Sequence, residues 1–213
     1  TIAAGSLTIG ISANSPGTGA VTQGDEQLLG VFSFDVKGEE SLVSAFEVNY
    51  DLAGSPGTLL YTEVTSNILK DADGNVVAGP LDTASGGVVS FTDNFIVPVG
   101  QNDYYLYATI ADTAGTGDTI EANIDAAADV TVKGYTTGSD IDAGGSYAVT
   151  ASTLTVGGAV LNAVTRTTPA ARSIADGVND LVWMTGSISA PNSGERAVVT
   201  TIVIEDTLGD SAD

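Results

Sequence analysis

Oxygen is the one abundant donor chemistry in this chain. It carries 27 Asp+Glu, no His and no Cys. Without His it lacks the usual general base near neutral pH. Without Cys it has neither a thiolate nucleophile nor a sulfur ligand for metal. The chemistry open to it is the holding of a hard cation, calcium above all, by carboxylates and amides. Asp71-Ala72-Asp73-Gly74-Asn75 sets side-chain oxygens at alternate positions, as the opening of a calcium loop does. It departs from a complete loop, because Val76 stands at the sixth position and Asp82 at the twelfth, where Gly and a bidentate Glu belong. Asp-Gly between two apolar runs is equally the signature of a hairpin turn. A second acidic set, Asp112, Asp118, Glu121 and Asp125, surrounds Gly115-Thr116-Gly117. Calcium on Asp71, Asp73, Asn75, Asp112 and Asp118 is one expectation; hydrogen-bonded turns and solvated loops are the other.

Other reactions lack parts. Lys37, Lys70 and Lys133 have no accompanying signature of a Ser-Lys pair. Gly144-Gly145 and the other Gly pairs match no phosphate loop with a Lys. Among so many acids, two that lie close together identify no glycosidase pair. A non-enzymatic protein is expected.

The elements that must position these residues read as strands. Hydrophobic residues make up 43% of the 213 positions, enough for a buried core, while charged residues make up only 15%. Leu7-Thr8-Ile9-Gly10-Ile11 alternates with the period of a half-buried strand. Leu28, Gly30, Phe32, Phe34 and Val36 fall on one face. Val43, Phe46, Val48 and Tyr50 continue the pattern with a phase break between Val43 and Phe46. Val88–Phe91, Phe95–Val99, Asp103–Asp112, Thr119–Ile124 and Asp129–Val132 follow, separated by Gly-rich turns. On the tyrosine-rich strand, Tyr105 and Tyr107 share one face and Tyr104 lies on the other with Leu106. Helix signals are short: one turn at Ala126-Ala127-Ala128 and another at Pro169–Ile174. Many short strands at regular spacing argue for an all-β sandwich or barrel.

The chain also contains a partial copy of its own beginning. Ser6-Leu7-Thr8-Ile9-Gly10 returns as Thr153-Leu154-Thr155-Val156-Gly157, and Glu39–Val48 returns as Glu195–Ile204 with its apolar phase kept. A period of about 150 residues is that of whole domains in tandem, longer than a solenoid repeat. The expected organisation is one sandwich over 1–150 and the first part of a related one over 151–213. Trp183 is the only Trp and reads as core.

These residues carry a resemblance. Leu-Thr-Ile-x-Ile, the Gly-Asp pair before an apolar strand, Gly38-Glu39-Glu40, Asn67–Asn75 and Tyr105–Asp112 together resemble the tandem immunoglobulin-like domains of bacterial cell-surface and S-layer-like proteins. The resemblance implies immunoglobulin-like sandwiches in series and a structural or adhesive role at the cell surface. It implies no catalytic residues. It also implies copies of itself as the main partner, in a filament, pilus-like fibre or surface layer, with strand exchange through Ile2–Ile11 as one route. Cell-surface components or glycans are the other partners to be expected. The net charge of −21 argues against nucleic acid and anionic lipid, which are polyanions. No stretch is long and apolar enough for a membrane span. Thr1-Ile2-Ala3-Ala4-Gly5 reads as the start of a mature or trimmed extracellular chain.

Overall fold

The computed structural model describes residues 5–54, 59–157, 162–167, 184–189 and 199–203, with positions 177, 180 and 182. Trp183, the turn expected at Pro169–Ile174 and half of the repeat at Glu195–Ile204 lie outside the described residues. The fold is all-β, built as two mixed sheets packed face to face.

The first sheet contains β1 (Ser6–Ile11), β3 (Glu26–Lys37), β5 (Val64–Lys70), β6 (Val76–Leu81), β9 (Gly100–Ile110) and β13 (Ala143–Gly145), in the order β13-β1-β3-β9-β5-β6. The second contains β2 (Gly19–Val21), β4 (Ser41–Ala53), β10 (Thr119–Ile124), β11 (Val130–Gly134), β12 (Asp140–Ile141) and β15 (Leu154–Val156), in the order β12-β11-β4-β10-β15-β2. In that sheet β7 (Val88–Phe91) and β8 (Phe95–Val97) pair with β4, and β14 (Val149–Thr150) pairs with β10. Most pairings are antiparallel, but β1–β13 and β2–β15 are parallel. A 3-10 turn at Ala127–Asp129 stands where the alanine run predicts one helical turn, and another lies at Tyr61–Glu63.

Alternation explains which side chains go inside, and bulges explain where alternation slips. Phe32, Phe34 and Val36 of β3 are fully buried. The register of β3 against β9 shifts between Leu28 and Gly30, so Leu29 is buried in place of the expected Leu28. The phase break between Val43 and Phe46 is a bulge on β4: Val132 pairs with Val43 and Thr131 with Ala45, leaving Ser44 over. Both Val43 and Phe46 therefore face the core.

The core is aromatic at its centre. Phe34 of the first sheet meets Phe46 of the second at 5.6 Å between ring centroids, and Phe32 meets Phe46 at 5.9 Å, both edge-on. Tyr104 adds contacts to Phe34 at 4.9 Å and to Phe95 at 5.1 Å. Each such pair contributes about 0.5–1.5 kcal/mol beyond its buried area.

A polar clamp crosses the same interior. Ser66 takes a positive φ of 51, and the register of β5 against β9 slips around it. Asn67 is thereby turned fully inside. Its Oδ1 accepts the Tyr50 hydroxyl at 2.7 Å, and its Nδ2 donates to the Leu81 carbonyl at 2.8 Å and to Thr83 Oγ1 at 3.0 Å. The Thr83 hydroxyl then donates to the Val64 carbonyl at 2.6 Å. Tyr50 lies on β4, so the network ties one sheet to the other. Burial pushes its phenol far above the ordinary value.

The segment Leu154–Val156, aligned by the repeat with Leu7–Ile9, is a strand of this sandwich, with Leu154 and Val156 buried. Beyond it, β16 (Asn162–Thr167) and β17 (Thr185–Ser189) form a two-stranded antiparallel ribbon. β1 pairs with β3 over Ser6–Ile11, so the N-terminal strand is used within its own sheet.

Replacing Phe46 by Ala is expected to cost about 3–5 kcal/mol through the cavity it leaves. Tyr50→Phe, which orphans the buried Asn67 oxygen, is expected to cost about 1–3 kcal/mol. Urea denaturation of both variants checks the order.

Candidate functional site

The turn at residues 71–75 closes the hairpin between β5 and β6. Asp71 Oδ1 accepts the backbone N–H of Asp73 at 3.0 Å and of Asn75 at 2.9 Å. The Asn75 amide donates to both oxygens of the same carboxylate, at 3.2 and 3.0 Å. Gly74 closes the turn with φ +85, a conformation that suits Gly. The Asn75 side-chain hydrogen bond holds the Asp71 carboxyl below its ordinary range. Asp71 and Asn75 therefore face each other as acceptor and donor within the turn.

Asp112 and Asp118 flank the loop before β10. Asp118 is buried, and its Oδ2 accepts the Gly115 N–H at 2.9 Å. Asp112 packs on Gly24, where an added Cβ would come within 2.5 Å of its Oδ1. The structure does not bring Asp125 to this loop. Asp118 and Asp125 bracket the two ends of β10, about 20 Å apart for a strand of this length. Among the described residues, no group of three or more carboxylates is gathered as a ready ligand set.

Asn14, Gln101 and Asp103, which belong to no motif, join the 71–75 turn in the structure. A cavity of about 430 Å³ opens between the 71–75 turn and the start of β9, lined by Asn14, Asp71, Asp73, Gln101, Asp103 and Tyr105 among others. Asp103 Oδ2 accepts the Ser12 hydroxyl at 2.6 Å and the Asn14 amide at 2.8 Å, while Oδ1 is buried without a partner. Burial, with the Asp71 charge adding to it, pushes the Tyr104 phenol up to about 12. Tyr105 and Tyr107, both half-buried, share the face opposite the buried Tyr104 and Leu106, as expected, and the Lys70 ammonium sits 4.3 Å from the centre of the Tyr107 ring.

Glu39 of the Gly-Glu-Glu motif is a structural acid. It is 7% exposed and reaches from the β3–β4 turn into the β11–β12 hairpin. Its Oε2 accepts the Thr136 and Thr137 N–H groups at 2.9 and 3.0 Å, and its Oε1 accepts the Thr137 hydroxyl at 2.6 Å. The hairpin keeps Gly at 134, where a Cβ would collide with the Glu39 carboxylate.

Compared with known proteins, the chain matches no family model and no curated protein. No described helix is long and apolar enough to cross a membrane.

The Thr137 hydroxyl, first among its partners, lowers the Glu39 carboxyl below 4.5. A carboxyl lowered by folding adds stability that is fully present above its unfolded value and is lost as pH falls through the folded one. Stability is expected to drop below about pH 4.5 with a slope that Glu39→Gln reduces, read as urea midpoints across pH 3–6. Asp71→Ala is expected to cost about 0.5–2 kcal/mol, as loss of a side-chain cap does, without disturbing the Phe34–Phe46 core.

Proposed function

We propose that this chain is a structural segment of an extracellular filament, pilus-like fibre or surface layer, with immunoglobulin-like sandwiches in series that associate through strand edges. The observation that carries the reading is the ribbon of β16 and β17. Among the described residues it pairs with no third strand. A two-stranded ribbon alone in water is marginal, and a third strand or a packed face stabilises it. Apolar side chains on it and further along the chain are open: Ile188 on β17 is 42% exposed, Ile202 65% and Val203 78%. Pairing of these edges with another sandwich of the same kind would bury them by β-addition. Net charge supports edge contacts over face contacts. With a formal −21, copies repel across their acidic faces, and close approach is favoured where Thr, Val and Ile replace Asp and Glu.

Glycan adhesion is a second reading, favoured by the cavity beside Asp103. Its carboxylates, carboxamides and Tyr105 are the groups that hydrogen-bond and stack on sugar rings.

Negative-stain microscopy of the full chain is expected to show fibres or sheets. Ile202→Asp with Val203→Asp is expected to leave the sandwich folded and disperse them. Single particles for the unaltered chain, together with glycan-array binding lost in Gln101→Ala, would replace the first reading by the second.

A further inference from the structure

Strand β9 lies inside the first sheet, yet part of it has a partner on one side only. Its ladder with β3 runs from Gly100 to Thr109. Its ladder with β5 begins at Tyr105, opposite Lys70, and runs on to Ile110. Past Lys70 the chain leaves the sheet through the 71–75 turn and returns as β6, which pairs with β5. From Gly100 to Tyr104, β9 therefore has no strand on its β5 side among the described residues.

The cavity of about 430 Å³ lies along this stretch. Its wall takes in Gln101 through Tyr105 without a gap. Side chains alternate across a strand, so a cavity on one face would touch every second residue. A wall of consecutive residues belongs to the strand's edge. Asp71 and Asp73 of the turn, with Ile96 and Pro98 at the end of β8, complete it. At strand rise the open edge is about 16 Å long, room for one short strand. An unpaired edge offers its N–H and C=O groups to such a strand.

Charge selects what that strand can be. Asp71, Asp73 and Asp103 all line the cavity, so an acidic segment is repelled there. The basic residues of the chain divide at residue 157, with every lysine before it and every arginine after it. The lysines are committed, Lys37 to Asp35, Lys70 to Glu26 and Lys133 to Asp140. From Ala143 to Ala175 there is no Asp or Glu, and Arg166 and Arg172 are the only charged residues. β16 lies in this stretch and contains Arg166. It pairs with β17 and with no other strand among the described residues, so its second edge is open within the chain.

We propose that β16 of one copy adds to the open edge of β9 in a second copy, with Arg166 brought to the carboxylates of Asp71 and Asp73. The proposal rests on the reading of the chain as a self-associating segment and names both halves of the contact. The ribbon is the donor, and the gap beside the 71–75 turn is the acceptor. Main-chain hydrogen bonds supply the attachment, and the charge pairing sets the choice of strand. Donor and acceptor are different surfaces of one chain, so the contact is head to tail and continues from copy to copy.

Sedimentation velocity of the full chain tests this. Asp73 is the acceptor residue to change, because it is exposed and the turn uses its N–H. Asp73→Lys and Arg166→Glu are each expected to weaken self-association about tenfold, the scale of one interfacial charge pair, with the melting temperature unchanged. Both changes in one chain are expected to restore it, because the pair is then reversed; a folding defect gives no such rescue. The chain has no Cys, so single thiols can locate the contact. Gln101→Cys in one copy is expected to join Thr165→Cys in another through a short bifunctional linker, and Thr131→Cys on the second sheet is not. Self-association that both charge variants leave undiminished would overturn the proposal and keep the broader reading. So would Thr165→Cys joining Thr131→Cys as readily as Gln101→Cys. An unaltered chain that stays monomeric overturns both.

Discussion

Phe46 is the point at which two sheets become one structure. Its ring lies edge-on to both Phe32 and Phe34 from the opposite sheet and packs near Phe91 from its own, at 6.2 Å. The bulge that leaves Ser44 over exists in register with this need, because strict alternation from Val43 would send Phe46 to solvent. The apolar contact holds the sheets together without choosing among sliding positions, since dispersion is not directional. The Tyr50–Asn67–Thr83 clamp supplies direction. Its hydrogen bonds are satisfied at one offset of the sheets and broken at others, which makes any other offset costly in a dry interior.

Most of the strand content was readable because a half-buried strand writes its period into the sequence. Phe32, Phe34 and Val36, or Tyr104 and Leu106, declare their face by alternation alone. The break between Val43 and Phe46 was visible as a defect in that period, and the structure gives it its cause. Two kinds of feature left no such trace. Parallel pairing of β1 with β13 and of β2 with β15 joins segments far apart in sequence, and three-residue strands are too short to show a period. The inward turn of Asn67 depends on the backbone at Ser66, and a polar residue in an apolar run gives no sign of being buried.

The acids show the same division. The 71–75 motif was legible as a turn, because Asp, Gly and Asn act there on neighbours within a few residues. The cavity that Asp71 and Asp73 share with Asp103 was not. Reading it required knowing that β5 stops opposite Tyr105. Glu39 was noticed as part of a motif, yet its role as acceptor for Thr136 and Thr137 rests on a contact across nearly 100 positions of chain.

The parallel ladders have a mechanical meaning. β1 enters the sandwich from the N-terminal side with β13 running alongside it in the same direction, and β15 leaves with β2 running alongside in the same way. A pull directed along these strands draws each of them past its parallel neighbour. The rungs on both sides of β1 and of β15 are then loaded together, in shear, and none can open before its neighbours. A sandwich tied in this manner yields abruptly at high load where a hairpin pulled from its open end would unzip bond by bond. In a chain that bears force along its length, such an arrangement lets each unit behave as a stiff link.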